Sequence, residues 1–446
     1  MFRLSTPLVF AELGWMAMAV VDTMFVGRVS AEAMGAVSLG AMLFYTLGVF
    51  ASGLLLGLDT LIANAFGAGE RDDYHRSFVN GVWLALFLIP TVMTMVWFLT
   101  PRLATFGIDP GILDAARPYI RALNYSTAPL LLFFAFRRYL QAVGGVRPIM
   151  FTLISANVVN AIFNWLLVFG NLGLPRLGAE GSGWATFISR IYMMAVLGLV
   201  ILRRDPGLLQ ASWRPYFPRL RQLLRLGIPA AGQIGLEFGV FATVTVLVAK
   251  LDAVSLAGHQ IALTTVSTTY MMPLGISSAA AVCVGQEIGR GDPSGAARSG
   301  WVALGIGAML MCASAVTLLT IPQLIARAFT SEGSVVAAAV NLLRVAAFFQ
   351  LFDGLQVVAT GALRGFGDTR TPMLCHFVGY WLIGLPLGAL LCFREELGAV
   401  GLWVGLSIGL ILIGVALLAI WRHTASGLHA EARMMSRTRS SGMPIV

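Results

Sequence analysis

The sequence predicts an all-α polytopic membrane protein, with twelve transmembrane helices in two six-helix bundles related by a pseudo-two-fold axis along the membrane normal. Three observations carry this: a composition too apolar for water, twelve apolar segments of spanning length, and an internal repeat after six of them. Hydrophobic residues make up 58% of the chain and charged ones 11%, against about 25% charged in a soluble domain. The 49 glycines suit close helix packing in lipid rather than a flexible linker.

Segments of about 20 apolar residues are the spanning signal. In order they lie at about 7–27, 38–64, 78–99, 118–142, 150–171, 183–202, 223–250, 258–285, 300–321, 337–363, 373–393 and 398–420. The first is read as a span and not a cleaved leader. "AEA" at Ala31–Ala33 imitates a cleavage site, but Glu12 and Asp22 lie in the stretch before it, and a signal core tolerates neither. Connections are short except "RRDPGLLQASWRPYFPRLRQLLRLG" near mid-chain. Arg and Lys number twenty in the N-terminus, the even-numbered connections and the tail, and eight in the odd-numbered ones. The positive-inside rule then puts both termini in the cytoplasm. Topology thereby accounts for most of the net charge of +9, and no nucleic-acid partner is needed to explain the arginines of the middle connection.

Sliding the chain against itself by 222 or 223 residues aligns Pro7 with Pro229, Gly53 with Gly275, Gly67 and Gly69 with Gly289 and Gly291, and Arg76-Ser77 with Arg298-Ser299. "LQAVGGVRPIM" at Leu140–Met150 then falls on "LRGFGDTRTPM" at Leu363–Met373. Six spans per unit is an even number, so both halves start on the same side and the repeats are parallel. The expected organisation is a bundle over 1–202, a cytoplasmic connection over 203–222, a second bundle over 223–421 and a basic, disordered cytoplasmic tail over 422–446.

Six acidic residues fall in apolar segments: Glu12, Asp22, Asp59, Glu237, Glu287 and Asp353. A charge at the bilayer centre costs at least ~2.5–3.5 kcal/mol on insertion scales, so each is a functional candidate unless it caps a helix or reaches the interface. Glu287, beside "GRGD", suits the interface. Glu237 lies twelve residues from Arg225, and Asp353 eleven from Arg364. At 1.5 Å per residue both are roughly 17 Å deep, near the midplane of a ~30 Å core. Two carboxylates at one depth in low dielectric are placed to trade a proton or hold a cation. Asp22 lies toward the other side, at a depth comparable to Asn160 and Asn164, which sit one turn apart on one helix face. That trio is a second polar site or an interhelical hydrogen-bond clamp. Asp59 and Gln356 are supporting polar candidates.

Several chemistries are excluded. The cysteines (Cys283, Cys312, Cys375, Cys392) form no C-x-x-C pair and the five histidines show no metal spacing. "GLSIG" at Gly405–Gly409 fits a nucleophile-elbow pattern around Ser407, but it lies mid-helix, where small residues serve packing. Lys250 is the sole lysine, so no Walker A site exists. Energy must come from outside the chain, most simply an ion gradient.

The strings "VVDTMFVGRVSAEAMGAVSLG", "LDTLIANAFGAG", "MMPLGISSAAAVCVGQEIGRGD" and "FDGLQVVATGALRGFGDTRTPM" closely resemble the multidrug and toxic-compound extrusion (MATE) family, in the branch typified by bacterial norfloxacin-efflux pumps. The resemblance runs from Pro7 to the twelfth span. It implies an antiporter, not an enzyme, exporting cationic amphipathic compounds against protons or sodium. It also implies a multi-pass protein of the cytoplasmic membrane, expected as a monomer in the bilayer, without cofactor beyond the coupling ion. Glu237, Asp353 and Asp22 match that branch's helix 7, helix 10 and helix 1 acids, and Asn160 and Asn164 match polar positions of helix 5. A sodium ion, if used, would sit at Glu237 and Asp353. Sodium-coupled relatives carry a tyrosine where this chain has Phe349, which favours the proton. The rival readings are a lipid-linked precursor flippase of the same superfamily, a major-facilitator carrier and an intramembrane hydrolase using Ser407. The first calls for a cationic cavity where the candidates here are acidic, with Arg190 and Arg344 the only exceptions; the second calls for a loop motif that "FGAGERDD" does not fit.

Overall fold

A computed structural model describes residues 1–106 and 110–440. Sixteen α-helices follow in order: α1 (Phe2–Val26), α2 (Ala31–Leu54), α3 (Gly57–Ala68), α4 (Arg71–Leu99), α5 (Pro110–Tyr125), α6 (Thr127–Ala142), α7 (Val146–Phe169), α8 (Ala179–Arg204), α9 (Phe217–Ala249), α10 (Ala253–Gly289), α11 (Pro293–Thr320), α12 (Pro322–Arg327), α13 (Gly333–Phe366), α14 (Arg370–His376), α15 (Leu385–Phe393) and α16 (Gly398–Ser440). No strand occurs among the described residues. Capping follows the sequence: Ser30, Asp252 and Asp292 each accept a hydrogen bond from the backbone amide three residues on, at 2.7–3.0 Å.

Eleven helical stretches among the described residues are long and apolar enough to cross a membrane. The fourth expected span, 118–142, is not among them, being divided at Ser126 into α5 and α6. Pro129 cannot donate to the Tyr125 carbonyl, and the Ser126 hydroxyl receives the Arg190 guanidinium at the break. Two other spans are also composite. The second is α2 and α3, and the eleventh joins α14 to α15 through a π-helical stretch over Phe377–Gly384. The middle connection is shorter than expected because α9 begins at Phe217. The tail continues α16 as helix through Ser440, and 441–446 lie outside the described residues.

The packing forms two compact units. One comprises Met1–Val9, Ala63–Gly69 and Gly232–Val446; the other comprises Phe10–Ile62 and Glu70–Ala231. The first is built on α13, against which α10, α11 and α16 pack, with Trp403 and Trp421 of α16 buried in its core. In the second, α8 packs against α5, α6 and α7. Their outer surfaces carry exposed Phe50, Trp97, Phe151, Phe238, Met309 and Phe348, apolar cover that suits lipid.

The repeat reappears in the contacts. A Cβ on Gly53 would lie 2.7 Å from Ala231 Cα, and one on Gly275 would lie 2.6 Å from Val9 N. Each residue of the second pair is the 222-residue repeat equivalent of one in the first. Gly67 likewise abuts the Gln286 backbone, while Gly289 abuts that of Asn64. The look-alike strings form one shape twice. Gly144 and Gly367 adopt φ of +80° and +101°. The next residue's amide bonds back to a carbonyl five residues earlier, Gly145 to Leu140 at 2.6 Å and Asp368 to Leu363 at 2.9 Å. This is a Schellman helix end, whose left-handed residue is glycine because it lacks a Cβ.

Candidate functional site

Glu237 and Asp353 meet within the unit that contains Gly232–Val446. Glu237 lies on α9 between Gly235 and Gly239, and Asp353 on α13 beside Gly354, whose missing side chain admits Met311 of α11. Gln356, one turn beyond Asp353, ties the two acids together. Its amide nitrogen donates to Asp353 Oδ1 at 3.2 Å and to Glu237 Oε1 at 3.4 Å, while Tyr270 Oη of α10 donates to Glu237 Oε2 at 3.3 Å. All three bonds are long. Glu237 is 8% exposed and Asp353 3%. The described ion pairs involve neither acid. Two buried carboxylates without a basic partner cannot both be charged cheaply, so the site calls for a proton or a small cation.

Two further oxygens belong to this neighbourhood. Gln356 Oε1 and Tyr380 Oη are buried and have no hydrogen-bond partner. Tyr380 lies on the π-helical stretch, which also brings the Trp381 indole to donate to the Leu236 carbonyl at 3.1 Å, next to Glu237. Phe349 is turned away to other work: it is buried and its ring lies 6.2 Å from that of Trp403. Trp403 Nε1 donates to His259 Nδ1 at 2.9 Å. An indole only donates, so the His259 proton sits on Nε2 and points to Thr245 Oγ1 at 2.9 Å. His259 is thus a clamp joining α9, α10 and α16.

The other unit holds the second polar site. Asp22 Oδ1 of α1 accepts from Asn160 at 3.0 Å and from Asn164 at 2.7 Å, both on α7, and Oδ2 accepts from Thr186 of α8 at 2.9 Å. All four residues are buried. Unlike Glu237 and Asp353, this carboxylate has firm donors on both oxygens. The remaining membrane acids are neutralised: Glu12 pairs with Arg137, and Asp59 with Arg138 at 3.2 Å. Glu287 pairs with Arg290 at 2.7 Å at the end of α10. Asp59, expected to support a binding site, is therefore engaged by its own arginine. Ser407 donates at 2.6 Å to the Trp403 carbonyl one turn back, and its flanking Gly405 abuts the Gly388 backbone. Among the described residues no group of three His, Cys, Asp or Glu side chains is arranged for a metal ion.

Of the residues singled out in the sequence, the structure brings together Glu237, Asp353 and Gln356, and separately Asp22, Asn160 and Asn164. Sequence reasoning passed over Tyr270, Tyr380 and Thr186, whose signal is no more than a hydroxyl within a spanning segment.

A model of the MatE family matches residues 7–166 and again 229–390, two stretches that begin 222 residues apart. The chain belongs to the MatE family. Among MatE relatives, the probable multidrug resistance protein NorM of Mesorhizobium japonicum is 36% identical over 429 residues, covering 94% of this chain and 92% of that protein. The NorM protein of Pseudomonas putida is 36% identical over 427 residues, with the same coverage. The eukaryotic MATE transporter AtDTX14 shares the fold with a TM-score of 0.87 at 22% identity, over 96% of each chain. Membership in this family, together with the eleven spanning stretches, makes the chain a multi-pass membrane transporter and not an enzyme.

Proposed function

We propose that the chain is a multidrug efflux antiporter of the cytoplasmic membrane, with both termini in the cytoplasm. It exports cationic amphipathic compounds in exchange for protons, with Glu237 and Asp353 carrying the exchange. One observation supports this most: two buried carboxylates from different helices share one amide and have no basic partner. Such a pair takes up a proton when the site is empty of cation and releases it when a cationic compound arrives. Asp22, held by three donors, acts as a fixed acceptor rather than the exchanging group. The acidic character of both polar sites argues against a flippase for pyrophosphate-bearing lipids.

A sodium ion is the second reading, favoured by the unpartnered Gln356 Oε1 and Tyr380 Oη. Together with the two carboxylates they offer oxygens that the sequence, with Phe349 in place of tyrosine, concealed. The test is reconstitution in liposomes with ethidium as substrate. Proton coupling predicts extrusion driven by a pH gradient and unaffected by a sodium gradient at constant pH. Transport on sodium alone, insensitive to a protonophore, establishes the second reading instead.

A further inference from the structure

The unit containing Gly232–Val446 has a cavity of about 360 Å³ between α12 and the start of α13, away from the two carboxylates. Its polar lining is cationic, amide and hydroxyl: Arg327, Arg344, Gln323, Asn341 and Ser331, with no acidic residue. Neither guanidinium has an ion-pair partner among the described residues. Gly333, the first residue of α13, also lines it. Glu332, the residue before, makes no side-chain cap to the helix, since its carboxylate accepts from Ser334 Oγ at 3.0 Å. Glu332 itself is exposed and does not line the cavity. Val336 and Val340 supply an apolar wall.

Depth fixes what this combination meets. Arg344 and Arg364 are twenty residues apart on α13. At 1.5 Å per residue that is about 30 Å, the thickness of the hydrocarbon core. With Arg364 at one interface, Arg344 lies at the other, level with lipid headgroups. Two unpaired arginines and two amides form a donor set for a phosphate. The valine wall suits the glycerol and upper acyl chain beside it.

We propose that this cavity binds a phosphate group, presented by an anionic phospholipid of the leaflet opposite Arg364. The test uses the purified full chain, stripped of lipid in detergent, with the paired variant R327Q/R344Q. Binding is followed by native mass spectrometry and by melting temperature. The probes are phosphatidylglycerol, phosphatidylcholine, and sodium phosphate against sodium chloride at equal ionic strength. The wild type should bind phosphatidylglycerol more tightly than phosphatidylcholine, and the paired variant should lose roughly tenfold or more of that affinity. Both side chains are exposed, so the variant should keep the lipid-free melting temperature; if it does not fold, R327Q and R344Q taken singly carry the same comparison. If sodium phosphate stabilises the wild type but not the variant, while phosphatidylglycerol binds both alike, the phosphate site stands with a free anion as its source. If no probe distinguishes the wild type from the variants, the proposal is overturned.

Discussion

Replacing the Glu237 or Asp353 carboxylate by its amide keeps the side chain's shape and removes its charge and its titration. E237Q and D353N should each reduce ethidium efflux to background at normal expression; efflux at the wild-type rate in both would remove this pair from the mechanism. Asp22 differs because three donors converge on its two oxygens. In D22N one amide hydrogen must face a donor, leaving a buried group unpaired at a cost of about 1–3 kcal/mol. D22N should therefore melt earlier in detergent while retaining part of its transport, whereas an unchanged melting temperature with a lost pH response would give Asp22 an exchanging role. The site was legible in the sequence where burial is expensive, since a carboxylate in lipid stands out. What sequence did not reveal is which acids are neutralised. Glu12 and Asp59 look like Glu237 and Asp353 along the chain, yet the tandem Arg137 and Arg138 reach only the first two. Tyr270, Tyr380 and Thr186 stayed hidden because a hydroxyl in an apolar helix costs little and is common.

Among the elements, the two equivalent helix ends make a clean comparison. A side chain at Gly144 meets nothing within 4 Å, and Gly367 shares its left-handed backbone, so alanine at either carries the left-handed penalty of about 1–2 kcal/mol. G144A and G367A should lower stability by similar amounts in denaturation assays; a neutral effect at either would mean that corner relaxes to another turn. The connection between α8 and α9 is an element of its own. Asp205 receives Arg71 at 2.5 Å, His75 at 2.6 Å and Tyr139 at 2.7 Å. Further along, Trp83 donates to the Trp213 carbonyl, the Tyr216 amide donates to Asn80, and Arg219 pairs with Asp73. Burial alone would raise the Asp205 pKa, but hydrogen bonds from His75, Arg71 and Tyr139 outweigh it and hold the carboxyl at about 2, below its ordinary 3.8. A depressed folded-state pKa contributes stability above the unfolded value that fades as pH falls toward the folded one. D205N should accordingly melt earlier than wild type near neutral pH, with the gap closing between about pH 4 and pH 2; a gap independent of pH would assign the loss to packing. Sequence read this stretch as a basic loop because all but one of its anchors lie over a hundred residues away. The break at Ser126 was not read from the sequence either, although Asn124, Ser126 and Pro129 mark it.

For the molecule as a whole, the 222-residue offset was legible from glycines and prolines because close helix contact admits little else. The exchange of partners was not legible: Gly53 meets Ala231 and Gly275 meets Val9, so each half's opening helix lends its first turns to the other half's unit. G53A and G275A drive a Cβ into backbone, and each should cost about 1–3 kcal/mol, read as matched falls in melting temperature; a large loss at one with none at the other would break the equivalence. The exchange also bears on how the chain is made. Val9 is made 266 residues before Gly275, the glycine it packs against. At ~5–20 residues per second the interval is on the order of tens of seconds. Throughout that time the start of α1 lies in the bilayer with its final neighbour unsynthesised, so insertion of this helix long precedes its seating.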